Sequence, residues 1–149
     1  MLDIDFEIVF EETKLYGNIV LVVDEIHRLN KDKQDLLLPM LENGLITLIG
    51  LTTSNPYHKI NPAIRSRCQI FELKPLKKED ISKGLLKASK NLSDIKIDKD
   101  ALDLIATMSN GDFRFAINLL EVAYYSSSDK KITTSLIKEI NNKASSPMD

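Results

Sequence analysis

Glycine is scarce in this chain, and the five that occur set the first limit on its chemistry. A phosphate-wrapping loop of the form Gly, four residues, Gly-Lys-Ser/Thr needs backbone amides around the phosphates and a lysine within reach of them. Gly17, Gly44, Gly50, Gly84 and Gly111 are the glycines present, and none is followed by lysine. No substitute phosphate cradle is visible. Cysteine is scarcer still: Cys68 stands alone, which excludes an internal disulfide and suits a reducing interior. No apolar run approaches membrane-spanning length, and the amino terminus is acidic where a signal peptide is basic. A soluble, cytoplasmic protein with no membrane partner is therefore expected. An excess of one charge is also lacking, since 20 Lys and Arg face 22 Asp and Glu. The net charge of −2 gives no global attraction to nucleic acid, so any DNA contact has to come from a local patch. A length of 149 residues, 43% of them hydrophobic, supports one ordinary domain or two small ones.

What the chain does have is an unbroken apolar run, Ile19 to Val23, that ends directly in Asp24 and Glu25. Five apolar residues without alternation suit a strand covered on both faces, as in a parallel sheet with helices above and below. Asp24 then lies at the carboxyl end of the strand, the edge at which open α/β sheets bind ligands. In nucleotide hydrolases an acid there holds Mg²⁺, usually through water, and a neighbouring acid orients the attacking water. A buried strand followed by an acidic turn reads the same residues equally well.

The first half of the chain alternates helical and strand-like patterns. Asp5 to Leu15 reads as a helix and Gly17-Asn18 as the turn into the first strand. Asn30 caps a helix to about Asn43, with Leu37, Leu38 and Leu41 inward, Gly44 as its stop and a kink at Pro39. Leu45 to Leu51 is a second buried strand that leads into the polar run Thr52 to Pro56. Asn61-Pro62 is a cap with proline at the first helical position, so Ala63 to Arg67 is a short helix, and Gln69 to Leu73 is a third strand. Strand signals cease after Pro75, and the domain boundary is placed there. Helices follow near Lys78 to Asn91, Asp98 to Met108, Asp112 to Ser126 and Thr133 to Asn142.

Three more sites fit a nucleotide reading, each beside a plainer one. Asn55 follows the second strand, where its amide reaches a γ-phosphate or attacking water; alone it reads as a turn residue. Arg65 and Arg67 lie on a short surface helix from which a guanidinium can project to a neighbouring subunit, or they are ordinary exposed arginines. Gly111-Asp112 starts a helix and puts Arg114 in its first turn, where the dipole disfavours a cation unless an anion is near. A phosphate there meets both amides and guanidinium. The plain alternative is an exposed arginine costing a few tenths of a kcal/mol. Lys83, Lys87 and Lys90 share a helix face that reads as solvated or as a phosphate contact.

Order and spacing join these signals. Val22-Val23-Asp24-Glu25-Ile26-His27-Arg28, Asn30-Lys31, Gln34-Asp35, Leu37-Leu38-Pro39, Ile46 to Gly50, Thr52-Thr53, Asn55-Pro56, Ser66-Arg67-Cys68 and Gly111-Asp112 with Arg114 follow one another across nearly the whole chain. The set resembles the AAA+ ATPases of the clamp-loader branch, and within it the RarA/MgsA group of replication-associated recombination proteins. That resemblance implies a partial Rossmann-like α/β core in residues 1–75 and an all-α helical lid in residues 76–149. It implies Asp24 and Glu25 as the Walker B pair, with Asp24 toward Mg²⁺ and Glu25 toward water. It also implies Asn55 as sensor 1, Arg67 as an arginine finger acting on a neighbour, and Arg114 as sensor 2. ATP and Mg²⁺ are the implied cofactors, and a homo-oligomer, DNA at replication forks and replication proteins the implied partners. Ser54 departs from the group's usual Glu and Phe115 from a second basic residue.

The missing glycine loop makes a fragment of such an ATPase the leading expectation, with the chain alone neither hydrolysing ATP nor binding it tightly. In these sheets the phosphate-loop strand separates the sensor 1 strand from the strand after the finger, so Gln69 to Leu73 would have no partner on that side. Three alternatives stay open: a non-catalytic clamp-loader subunit that donates Arg67, a DExH helicase fragment spelled by Asp24 to His27, and a helical interaction module.

Overall fold

Asp5 accepts hydrogen bonds from the amides of Glu7 and Ile8 at 3.1 Å each and so starts helix α1, Phe6–Tyr16. The computed structural model describes residues 4–146, which leaves the acidic start at Asp3 outside the described residues. Contacts divide the chain into two units after Glu72.

In the first unit α1 ends at Gly17, and the chain enters strand β1, Ile19–Val23. A 3-10 turn at Ile26–Arg28 and helix α2, Lys31–Glu42, carry it back to strand β2, Ile46–Gly50. The strands are parallel, in register from Ile19 opposite Ile46 to Val23 opposite Gly50. Parallel pairing requires such a helical crossover, and the spacing of α2 supplies it. Asn18 reinforces the register, donating to the carbonyl of Gly44 at 2.6 Å and accepting from Thr47 Oγ1 at 3.2 Å. Asn30 caps α2 as expected, accepting from the Lys33 amide at 2.8 Å, and the helix continues through Pro39 to Glu42. Val9, Val23, Leu37, Met40, Ile46 and Ile64 form the core of this unit.

Burial of both strand faces is not what the structure shows. Val23 and Ile46 are buried, but Val20 and Val22 are 60% and 59% exposed, and Ile49 and Leu51 are also open. The reason is the two-stranded ladder: one face packs on α1 and α2 residues, and among the described residues no element covers the other. Gln69 to Leu73 is a second correction. This stretch forms no strand, and Phe71 and Leu73 are 79% and 89% exposed. An extended segment becomes a strand only when a neighbour takes its N–H and C=O groups, and no described strand lies beside it.

Two short helices fill the connection that leaves β2. Helix α3, Pro56–Lys59, is capped by Asn55, and helix α4, Pro62–Arg65, follows Asn61. The expected helix to Arg67 thus ends at Arg65, with Ser66 and Arg67 in a turn. Helix α3 was not expected, although Asn55-Pro56 carries the same cap-then-proline pattern as Asn61-Pro62.

The second unit holds helices α5, Lys78–Ser89; α6, Lys99–Ser109; α7, Phe113–Ser126; and α8, Thr134–Ser145. All four match the sequence periodicity. Their buried faces meet in one cluster that includes Ile81, Leu85, Ile105, Leu120 and Ile137. A parallel ladder of two-residue strands, β3 (Lys96–Ile97) and β4 (Lys131–Ile132), joins the loops before α6 and α8. It is too short to leave a periodic signal. No helix among the described residues is long and apolar enough to cross a membrane.

Candidate functional site

The carboxyl end of β1 is built around a left-handed residue. Glu25 has φ 52 and ψ 45, a conformation that costs a side chain about 1–2 kcal/mol. It turns the chain so that Ile26 enters the core at 4% exposure while the Glu25 carboxylate faces solvent. Hydrogen bonds hold the turn on both sides, from the Leu51 amide to the Val23 carbonyl at 2.9 Å and from the Ile26 amide to the Leu51 carbonyl at 3.0 Å. Gly50 lies beneath it, where a Cβ would sit 3.0 Å from Ile26 Cδ1 and that side chain would have to give by a few tenths of an ångström. Asp24 Oδ1 accepts from the Glu25 amide at 2.9 Å. Thr52 Oγ1 lies 2.7 Å from His27 Nδ1 and accepts from the Ser54 amide at 3.0 Å, tying the exit of β2 to the acid turn.

Arg28, on the 3-10 turn, pairs with Glu25 across 2.9 Å. Its hydrogen bond, and then its charge, hold the Glu25 carboxyl below the ordinary carboxylate range. The sign follows directly. A depressed carboxyl contributes to folding above the unfolded pKa and loses that contribution as the pH falls through the folded one. Arg28→Ala should therefore raise the Glu25 pKa toward the ordinary carboxylate range, read from a side-chain carboxyl ¹³C titration by NMR. An unchanged titration would remove Arg28 as the cause. Neither Arg28 nor the His27 and Thr52 link was expected from sequence, since both depend on the tight turn that Glu25 makes.

No cluster of three metal-ligating side chains occurs among the described residues. Mg²⁺ asks for less than such a cluster, since it keeps several waters and takes one or two carboxylates plus the phosphates of its nucleotide. Asp24 is exposed at the strand end and suits that role.

Asn55 is exposed and caps α3, its Oδ1 accepting from the Tyr57 amide at 3.0 Å; its amide nitrogen takes no part in the cap. Arg65 is occupied, with Nε donating to the Ile60 carbonyl at 3.0 Å and the guanidinium 5.1 Å from the Tyr57 ring centroid. Arg67 lies at the surface, paired through Nη2 with Glu42 at 3.0 Å and donating from Nη1 to the Ala63 carbonyl at 3.0 Å. The parallel register brings Asp24, Glu25 and the segment leading to Asn55 to the same edge of the two-stranded sheet. In the second unit Arg114 is exposed in the first turn of α7, whose cap Asp112 accepts from the Phe115 amide at 3.1 Å. Arg114 makes no ion pair among the described residues.

One buried polar residue had been read only as part of a motif. Gln34 is 1% exposed, and its side chain bonds to three backbone groups in the first unit. A polar residue one turn from Leu37, within the apolar stripe of α2, was the available signal.

Comparison with known proteins gives a consistent family. A family model described as "ATPase family associated with various cellular activities (AAA)" matches residues 4–76, and an "AAA C-terminal domain" model matches residues 90–149. Replication-associated recombination protein A of Bacillus subtilis is 50% identical over 131 residues, 84% of this chain and 31% of the relative. ATPase WRNIP1 of Dictyostelium discoideum is 44% identical over 109 residues, 70% of this chain and 12% of the relative. The Escherichia coli K12 replication-associated recombination protein A is 42% identical over 69% of this chain and 24% of its own length. The chain thus spans less than a third of these relatives. Among solved structures, the RuvB Holliday junction branch migration motor of Thermotoga maritima superposes with a TM-score of 0.77 at 26% identity, over 95% of this chain and half of that one. With an AAA model and an AAA C-terminal model matched in chain order and relatives at 42–50% identity, the chain belongs to the AAA+ ATPase family.

Proposed function

We propose that this chain forms the acid-pair side of the nucleotide core, residues 1–75, and the helical lid, residues 76–149, of a clamp-loader-branch AAA+ ATPase. The full-length protein would couple ATP hydrolysis to work on DNA in replication-fork maintenance, recombination and repair, as a homo-oligomer that meets replication proteins. The observation that carries this reading is the register of β1 against β2, which gathers the acid pair and the Asn55 segment at one strand edge. Identity with the RarA and WRNIP1 proteins supports the replication context.

Each residue has a role that its setting supports. Asp24, the Walker B aspartate of this proposal, would hold Mg²⁺ through water, the ion neutralising charge on the β- and γ-phosphates when nucleotide is bound. Glu25 would orient the attacking water. Arg28 lowers its pKa, and a carboxylate held below its usual range is a weak proton acceptor at neutral pH, so orientation suits it better than general-base work. The Asn55 amide nitrogen, not engaged by the helix cap, is assigned to the γ-phosphate or that water. Arg67 is assigned to a neighbour's transition state, and Arg114 to the phosphates as the sensor 2 cation. The chain by itself, with no Gly-Lys-Ser/Thr loop among its residues, is expected to hydrolyse no ATP.

Glu25→Gln in the full-length protein tests the reading. ATP affinity should stay within a few-fold while turnover falls by about 10²- to 10⁴-fold, the scale of a positioned catalytic carboxyl. Binding by fluorescent-nucleotide titration and turnover by phosphate release give the two numbers. Equal loss of both would make Glu25 a structural residue.

A further inference from the structure

Gln34 is a carboxamide with both donors and its acceptor oxygen engaged inside the first unit. Its Nε2 donates to the Leu29 carbonyl at 2.9 Å and to the Lys59 carbonyl at 3.0 Å, and its Oε1 accepts from the Asn61 amide at 2.8 Å. Each partner belongs to a different functional segment. Leu29 closes the 3-10 turn that follows Asp24 and Glu25. Lys59 ends α3, which Asn55 begins, and Asn61 immediately precedes α4, which leads to Arg67.

We infer that Gln34 is a positioning residue: it fixes the segment bearing Arg67 against the turn bearing the acid pair. This rests on the reading of Arg67 as an arginine finger and deepens it. The side chain matches the task, because only an amide offers two donors and an acceptor on a short apolar stem. A glutamate would turn a charge against two carbonyls, and a lysine could not accept from Asn61. Burial makes the arrangement rigid, since a buried polar group that loses a partner finds no water to replace it. The opposite end of α2 repeats the bracing, where Glu42 holds the Arg67 guanidinium itself at 3.0 Å. α2 thus touches the finger segment at both ends, and Gln34 is the end that also reaches the acid turn.

The experiment uses the full-length protein and two substitutions. Gln34→Met keeps the volume and removes all three bonds. Asn61→Pro removes the N–H whose hydrogen bond Gln34 accepts, together with the Asn61 side-chain bonds to the Lys31 carbonyl and the Asp35 carboxylate, and Asn61→Ala, which loses those side-chain bonds alone, is its control; φ of −54 at Asn61 and extended backbone at Ile60 admit proline there. Both variants should bind ATP with nearly unchanged affinity and lose about 10- to 100-fold in kcat, the scale of a displacement near 1 Å. Mixed with Glu25→Gln subunits, both should regain activity, as Arg67→Ala should, because their own acid sites are sound and a neighbour supplies a placed finger. A purely structural role would lower affinity and kcat together and give no rescue. If Arg67→Ala is rescued and neither Gln34→Met nor Asn61→Pro is, the inference is overturned while the finger stands. If Arg67→Ala is not rescued either, the finger reading falls and takes the inference with it. Should Gln34→Met fail to fold, the loss of Asn61→Pro beyond that of Asn61→Ala decides, and equal losses in the two overturn the inference.

Discussion

Arg67→Ala in the full-length protein should slow steady-state ATP turnover by about 10³- to 10⁵-fold, with nucleotide affinity largely kept. The choice of Arg67 over Arg65 comes from what each guanidinium already does. Arg65 is spent on the Ile60 carbonyl and the Tyr57 ring, two residues of its own segment. Arg67 is held mainly by Glu42, in an ion pair whose partners are 40% and 46% exposed. Such a surface pair is worth about 0–1 kcal/mol, so leaving it costs little. A finger in the transition state contributes roughly 4–7 kcal/mol at about 1.4 kcal/mol per tenfold in rate, and the balance favours release of Glu42 whenever a neighbour's nucleotide is in reach. Arg65→Ala should instead act on local packing and leave turnover within several-fold once folded protein is compared. A loss below tenfold for Arg67→Ala in phosphate-release assays would sink the assignment.

Ile105→Ala should cost the second unit about 2–5 kcal/mol, the range for removing most of a buried aliphatic side chain. Ile105 is fully buried on α6 and belongs to the cluster formed with residues of α5, α7 and α8. Neighbours in a helical cluster relax only partly into the space it leaves. A domain's whole stability is of order 5–15 kcal/mol, so this single change should bring the unit close to unfolding at ambient temperature. Leu86→Ala is the matched control. Leu86 is 50% exposed on α5, and its loss should stay within about 0.5 kcal/mol. Urea unfolding of the 149-residue chain, followed by helical circular dichroism, compares the two, and equal shifts would mean that Ile105 does not occupy a packed core.

The residues that announced themselves in sequence are those whose structure is decided within one turn of chain. Asp5, Asn30, Asp112 and Thr133 cap α1, α2, α7 and α8 because a short polar side chain can satisfy the first helical amides whatever lies elsewhere. The apolar run Ile19–Val23, with Asp24 and Glu25 at its end, announced itself by composition, although it is a strand because β2 pairs with it. Pairing and burial have no local cause. Gln69 to Leu73 has a strand's composition but no described neighbour to complete its ladder, and Val20 and Val22 carry core side chains on a face that no described element covers. The left-handed turn at Glu25 was equally unannounced, because its cost is met by the pairing of Leu51 with Val23 and Ile26, residues brought together only by the parallel register. So was the part played by Gln34, whose three partners lie 5, 25 and 27 positions away. Sequence determined the longer helices and where the acid pair sits at the end of its apolar run; tertiary structure alone decided which polar groups meet, because a hydrogen bond is set by distance in space and not by distance along the chain.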